Sequence, residues 1–220
     1  MKVLVAGANG ATGRLLLKKL KENNHSPKAM VRDEAQGLEL KDIGADEIVV
    51  GDLEGDISLA VKGVEAVIFA AGSGSGTGKD KTDLVDRLGA IRLIDAAEQA
   101  GAGRFIMLSA AGVDEFETSP ETIRHYMIAK SEADSHLKQS DLTYTIVRPG
   151  RLTYEKGTGK IRIAEKLEDR NGSIPREDVA EVMVLSLMIE NTGNRVFEIL
   201  SGDIPINMAL RTIEEAERYQ

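Results

Sequence analysis

Near its start the chain reads Val5-Ala6-Gly7-Ala8-Asn9-Gly10-Ala11-Thr12-Gly13-Arg14, and this stretch decides the fold. Its glycines fall as G-x-x-G-x-x-G between an apolar run and a leucine-bearing one. Such a turn must reverse sharply, bring backbone within reach of a pyrophosphate, and pack a helix tightly on a strand. Glycine meets all three demands because it lacks a Cβ. The next helix offers free N–H groups and the positive end of its dipole to phosphates. A dinucleotide site is therefore expected at Gly7, Asn9, Gly10, Ala11, Thr12 and Gly13. The competing phosphate motif, a P-loop ending at Gly78-Lys79, needs a Gly five residues earlier and a Ser or Thr next. The sequence has Ser73 and Asp80 there, so that reading fails twice.

Outward from this turn, short apolar runs alternate with longer amphipathic ones. Residues 3–6, 29–31, 48–50, 66–70, 105–108 and 143–147 read as strands, apolar almost throughout, as strands buried on both faces must be. A helix over 14–21 carries Leu15, Leu16 and Leu20 and stops at Asn23-Asn24. Leu84, Leu88, Ile91 and Ile94 predict a second helical stripe ending at Gly101. Strict alternation implies an α/β fold, a doubly wound parallel sheet of the NAD(P)-binding Rossmann type. The tail after Pro149 is too short for a domain of its own. Residues 151–220 are read as a small C-terminal cap that completes the sheet and shapes a substrate pocket, with a strand at 196–200 and helices from Pro175 to about Met188 and through Ile213. The chain is one domain, 1–220. The stretch Gly72–Gly78 is either a surface loop or a mobile rim of the site, since it follows the fourth strand.

Composition sets outer limits. Of 220 residues, 42% are hydrophobic and 29% charged, as in an ordinary soluble globular protein. The absence of cysteine removes disulfides, thiolate metal sites and a cysteine nucleophile. His25, His125 and His136 never fall at metal-motif spacing, so no metal is expected. A net charge of −8 without a basic stripe argues against a nucleic-acid partner. The run Lys2-Val3-Leu4-Val5-Ala6 enters the glycine turn directly, unlike a signal peptide, and the apolar stretch at 182–189 is too short for a bilayer. A cytoplasmic location, no membrane partner and a small-molecule substrate are expected; a homodimer is left open.

The second strand ends Met30-Val31-Arg32-Asp33, at the corner where NAD-binding folds place an acid for the ribose. Arg32 suits a 2′-phosphate, which a guanidinium grips bidentately, and Arg14 could reach the same group. NADP is the expected cofactor, with NAD as the alternative, since Asp33 could serve as the ribose acid. On chemistry alone, Tyr126 and Lys130 stand at i and i+4 on one helix face. A tyrosine can return a proton to an alkoxide near neutral pH if a cation favours its phenolate.

Together the glycine turn, Gly51-Asp52-Leu53, Ala70-Ala71-Gly72, Ser109, Tyr126-Met127-Ile128-Ala129-Lys130 and Arg148-Pro149-Gly150-Arg151 resemble the short-chain dehydrogenase/reductase superfamily. The resemblance covers nearly the whole chain in order. It is nearest to atypical members of epimerase/dehydratase-like type and to NmrA-like proteins. It implies that Asp52 and Leu53 line the adenine and that Ala70, Ala71 and Gly72 back the nicotinamide-side ribose. It further implies Tyr126 as general acid/base, Lys130 holding that ribose and lowering the tyrosine's pKa, and Pro149, Gly150, Arg151 and Leu152 bordering the nicotinamide. Ser109 would polarise the substrate carbonyl. Extended members carry the working hydroxyl two residues further on, where this chain has Ala111. His125 is either a helix-surface residue or a substrate contact. Two functions stay open. One is an NADP-dependent oxidoreductase or epimerase/dehydratase-like enzyme on a small carbonyl or hydroxyl substrate; the other is a non-catalytic redox sensor of the NmrA-like type.

Overall fold

Strands that are apolar on both faces require helices on both sides of their sheet, and the computed structural model has that form; it describes residues 1–74 and 76–213. The first half alternates β1 (Lys2–Ala6), α1 (Ala11–Glu22), β2 (Ser26–Val31), α2 (Gly37–Ile43), β3 (Glu47–Val50), α3 (Ser58–Val61) and β4 (Ala66–Phe69). A short α4 (Lys79–Lys81) then runs through a π-helical turn, Thr82–Arg87, into α5 (Leu88–Gln99). Next come β5 (Arg104–Leu108), α6 (Glu121–Gln139), β6 (Thr143–Pro149), β7 (Arg151–Thr153), β8 (Lys160–Ala164) and β9 (Ser173–Pro175). The described residues finish with α7 (Arg176–Leu185), β10 (Arg195–Ser201), β11 (Ile204–Pro205) and α8 (Ile206–Arg211).

Among the described residues nine strands form one sheet in the order β11-β8-β10-β6-β5-β4-β1-β2-β3. β1 through β6 and β10 run parallel, while β8 is antiparallel to both β10 and β11. β1 pairs with β2 on one side and β4 on the other, so the strand order reverses at β1. The crevice beyond the strand C-termini at such a reversal is where open α/β sheets bind ligands. The glycine turn leaves β1 at that point.

Side-chain alternation along β1 feeds two cores. Val3 and Val5 join Leu16, Leu17 and Leu20 of α1 and Val179 and Met183 of α7 on one face. Leu4 and Ala6 join Phe69, Leu93, Ile94 and Leu137 on the other. In the tail, β10 pairs with β6 from Arg195↔Thr145 to Ile199↔Pro149. Three of the tail's strands, β7, β9 and β11, are only two or three residues long and were not expected from the sequence, nor was β8. No helix among the described residues is long and apolar enough to cross a membrane.

Leu84, Leu88, Ile91 and Ile94 lie on the π-helical turn and α5, but only Ile94 of the four is fully buried. The π-helical turn over Thr82–Arg87 carries one more residue than an α-turn and rotates the rest of the helix about its axis. The inward face becomes Asp86, Gly89, Ala90, Leu93, Ile94 and Ala97.

Candidate functional site

The three glycines of the turn do different work. Gly7 has φ +83°, and a Cβ there would lie 2.6 Å from the Ala71 backbone nitrogen, so the turn and the end of β4 touch only through glycine. A Cβ on Gly13 would lie 2.1 Å from the Gly7 carbonyl oxygen, which makes Gly13 the contact between α1 and the turn. Gly10 is exposed, and the nearest atom to a Cβ there is Gly7 O at 3.2 Å. Protein packing asks less of Gly10 than of Gly7 and Gly13, since a Cβ there would need Gly7 O to give by only a few tenths of an ångström. Gly10 is the N-cap of α1, with no side-chain cap and no acidic residue in the first turn, so the helix's N–H groups and dipole are left to an outside anion. These features fit the pyrophosphate of a nicotinamide dinucleotide.

A cleft of about 480 Å³ opens in front of the turn. Of the residues expected at the cofactor, it is lined by Gly7, Asn9, Gly10, Arg32, Asp52, Leu53, Ala70, Ala71 and Gly72. Ser73 and Thr77 line it too, so the glycine-rich stretch lies on the rim; Ser75 falls outside the described residues. At the β2 corner, Asp33 accepts the Ala35 N–H at 2.9 Å and caps a 3-10 turn, whereas exposed Arg32 lines the cleft. Arg14 is engaged elsewhere. Its guanidinium donates to Asn9 Oδ1 at 2.6 Å and to Glu39 at 2.8 Å. Ala11 belongs to the first turn of α1, and Thr12 and Gly13 are buried beneath it.

The second group sits where α6 crosses the C-termini of β5 and β6. Tyr126, Lys130 and Asp134 succeed one another at four-residue spacing on α6. Lys130 is 3% exposed; its ammonium donates to Leu108 O at 3.0 Å, lies 3.6 Å from Asp86 Oδ1, and sits 5.8 Å from the centroid of the Tyr126 ring. Asp86, fully buried on the π-helical turn, also accepts the Ser73 N–H at 3.0 Å. It thus ties the cofactor cleft to the tyrosine. Ser109 donates to Asp134 Oδ2 at 2.9 Å, and Arg148 donates to the same oxygen at 3.0 Å while also pairing with Asp114.

Lys130 lowers the Tyr126 pKa, yet the net shift is upward: burial of the phenol disfavours the phenolate most. Lys130 opposes that effect, and Asp86 and Asp134 reinforce it. The ammonium cannot prevail because burial outweighs it, and the two carboxylates push in the same direction as burial. Asp134 is also pushed up, by burial first, against the pull of Arg148 and Ser109.

Pro149 and Gly150 carry structural duties. Pro149 accepts the Ala111 N–H at 2.9 Å, and a Cβ on Gly150 would strike Leu200 at 2.3 Å. Arg151 and Leu152 belong to β7, which pairs with β9; Arg151 is exposed and Leu152 half-buried. His125 lies 3.3 Å from Asp83 of the π-helical turn. The sequence reading missed Glu54, Lys81, Gln36 and Val85, which line the cleft, and Asp86 beneath it. Only the glycine-rich stretch pointed towards any of them.

Known proteins agree with this geometry. A family model described as NAD(P)H-binding matches residues 7–189. An uncharacterized sugar epimerase of Bacillus subtilis (strain 168) is 47% identical over 217 residues, covering 97% of this chain and 100% of its own. A solved Bacillus halodurans structure, provisionally named an NAD-dependent epimerase/dehydratase, is also 47% identical, with a TM-score of 0.95 over 97% of this chain and 100% of its own. A Lactococcus lactis oxidoreductase structure is 29% identical with a TM-score of 0.84, over 98% and 97% of the two chains.

Proposed function

The chain belongs to the NAD(P)H-binding family, and from that premise we propose that it is an NADP(H)-dependent reductase of small carbonyl compounds, with Tyr126 as proton donor. The observation that carries this reading is the accessible Tyr126 ring lying 5.8 Å from the buried Lys130 ammonium, which is itself fixed by Asp86; the raised pKa of the phenol accords with it. A phenol that stays protonated is suited to give a proton to a developing alkoxide rather than to take one from an alcohol. When bound, the nicotinamide supplies the hydride. The glycine turn would hold its pyrophosphate, Asp52 and Leu53 the adenine side, and Arg32 a 2′-phosphate. Tyr126 is 36% exposed as a residue, which leaves it accessible to a substrate.

A second reading, a dinucleotide sensor without turnover, is favoured by Ser109. Its hydroxyl hydrogen is engaged by Asp134, and Ala111 offers no replacement. The cofactor assignment is tested by thermal shift and calorimetry. NADPH should stabilise the chain more than NADH at equal concentration. Arg32→Ala should remove most of that preference, because a charge-assisted contact to the 2′-phosphate is lost. Equal shifts for both cofactors in the parent would reject the NADP assignment. A screen of aldehydes, ketones and quinones, followed by NADPH absorbance, separates reductase from sensor.

A further inference from the structure

The charged side chains lining the cleft are Arg32, Asp52, Glu54 and Lys81. Two of these are carboxylates facing a ligand that is itself an anion. Lys81 Nζ lies in the fork of Glu54, 2.6 Å from Oε1 and 2.8 Å from Oε2. Glu54 comes after β3 and Lys81 after β4, and in the sheet β1 and β2 lie between those strands. The pair therefore joins two walls of the cleft that arise from opposite sides of the glycine turn.

We propose that Lys81 is a cofactor-binding cation, held by Glu54 in the free chain and surrendered to a phosphate oxyanion of the dinucleotide when it binds. The inference rests on the dinucleotide reading of the cleft and adds to it a residue and an exchange. Three features support it. An ion pair whose lysine is 49% exposed contributes little to stability, so breaking it costs little. A lysine stem of four carbons can redirect its ammonium without moving backbone. Without the exchange, Lys81, one of the two cations lining the cleft among the described residues, would stay spent on Glu54 and leave Arg32 to meet the ligand's negative charges.

The test uses the full chain and titration calorimetry with NADPH and, separately, NADH, alongside melting curves that establish folding. Lys81→Met should weaken binding about tenfold, the usual worth of a charge-assisted contact. Glu54→Gln should tighten it severalfold, because a competitor and a like charge are removed together. An equal loss with both cofactors in Lys81→Met assigns the bridging phosphates; a loss confined to NADPH assigns the 2′-phosphate. Lys81→Met with parental affinity, or Glu54→Gln no tighter than the parent, overturns the exchange. The NADP assignment fails on Arg32→Ala instead, and the exchange is still read on NADH.

Discussion

Ser109 Oγ stands 2.9 Å from Asp134 Oδ2, and both residues are buried. The hydroxyl that the family resemblance offers to a substrate carbonyl is thereby committed to a carboxylate of α6. Ser109→Ala should lower stability by about 1–3 kcal/mol, the cost of leaving a buried charged acceptor short of a donor. It should leave dinucleotide affinity unchanged and turnover within tenfold. A loss of about 10²–10³ in kcat would return Ser109 to the carbonyl.

Tyr126→Phe keeps the ring beside Lys130 and removes only the hydroxyl. NADPH affinity should hold, and turnover on any substrate found should fall by about 10²–10⁴. Parental activity in this variant would remove the tyrosine from the reaction. Because its pKa is raised, the protonated donor should persist through neutral pH and well into alkaline conditions, with activity lost only as the phenol ionises. A pH profile of kcat reads that limb directly.

The glycines should separate binding from folding. Gly10→Val meets only Gly7 O, at 3.2 Å from its Cβ, and is a poor N-cap, so it should cost about 1 kcal/mol while leaving the chain folded, and cofactor titration should show no binding. Gly13→Ala puts a methyl 2.1 Å from Gly7 O and should destabilise by about 1–3 kcal/mol or more. If the two variants exchanged phenotypes, the roles of the glycines would be reversed.

His25 is 7% exposed, with both ring nitrogens buried and unpartnered, and its pKa is lowered, by burial first and by the nearby N-terminus second. The folded chain thus resists a proton that the unfolded chain accepts near pH 6.5. Stability from this group is present above that value and lost as pH falls through it. Between pH 7.5 and 5.5 the parent's Tm should drop more steeply than that of His25→Gln. Parallel slopes would mean that the imidazole finds a partner when charged.

The parallel strands were legible because burial on both faces leaves an unbroken apolar run. The start of β2 was not, because Lys28 interrupts it; the ammonium there donates to Leu59 O and Lys62 O instead of reaching water. β8 alternates, as Lys160-Ile161-Arg162-Ile163, because it buries one face only near the sheet's edge. The glycine turn and the Tyr126–Lys130 spacing were legible as chemistry. The buried charges around them were not, since Asp86, Asp134 and Arg148 each read alone as a solvated residue. Asp134 had a signal available, four residues beyond Lys130 on the same helix face. Asp86 had none, for its inward direction depends on a π-helical turn that no residue pattern announces.

The place of β10 between β6 and β8 bears on how the chain assembles as it is made. β8 leaves the ribosome first, yet its partners β10 and β11 come after it in sequence. Until Arg195–Ser201 emerges, β6 presents an unpaired edge and β8 waits without a ladder. This side of the sheet is thus sealed only by a strand made after β6, β7, β8 and β9, and nascent chains stalled before it carry an adhesive edge that invites chaperones or neighbouring copies.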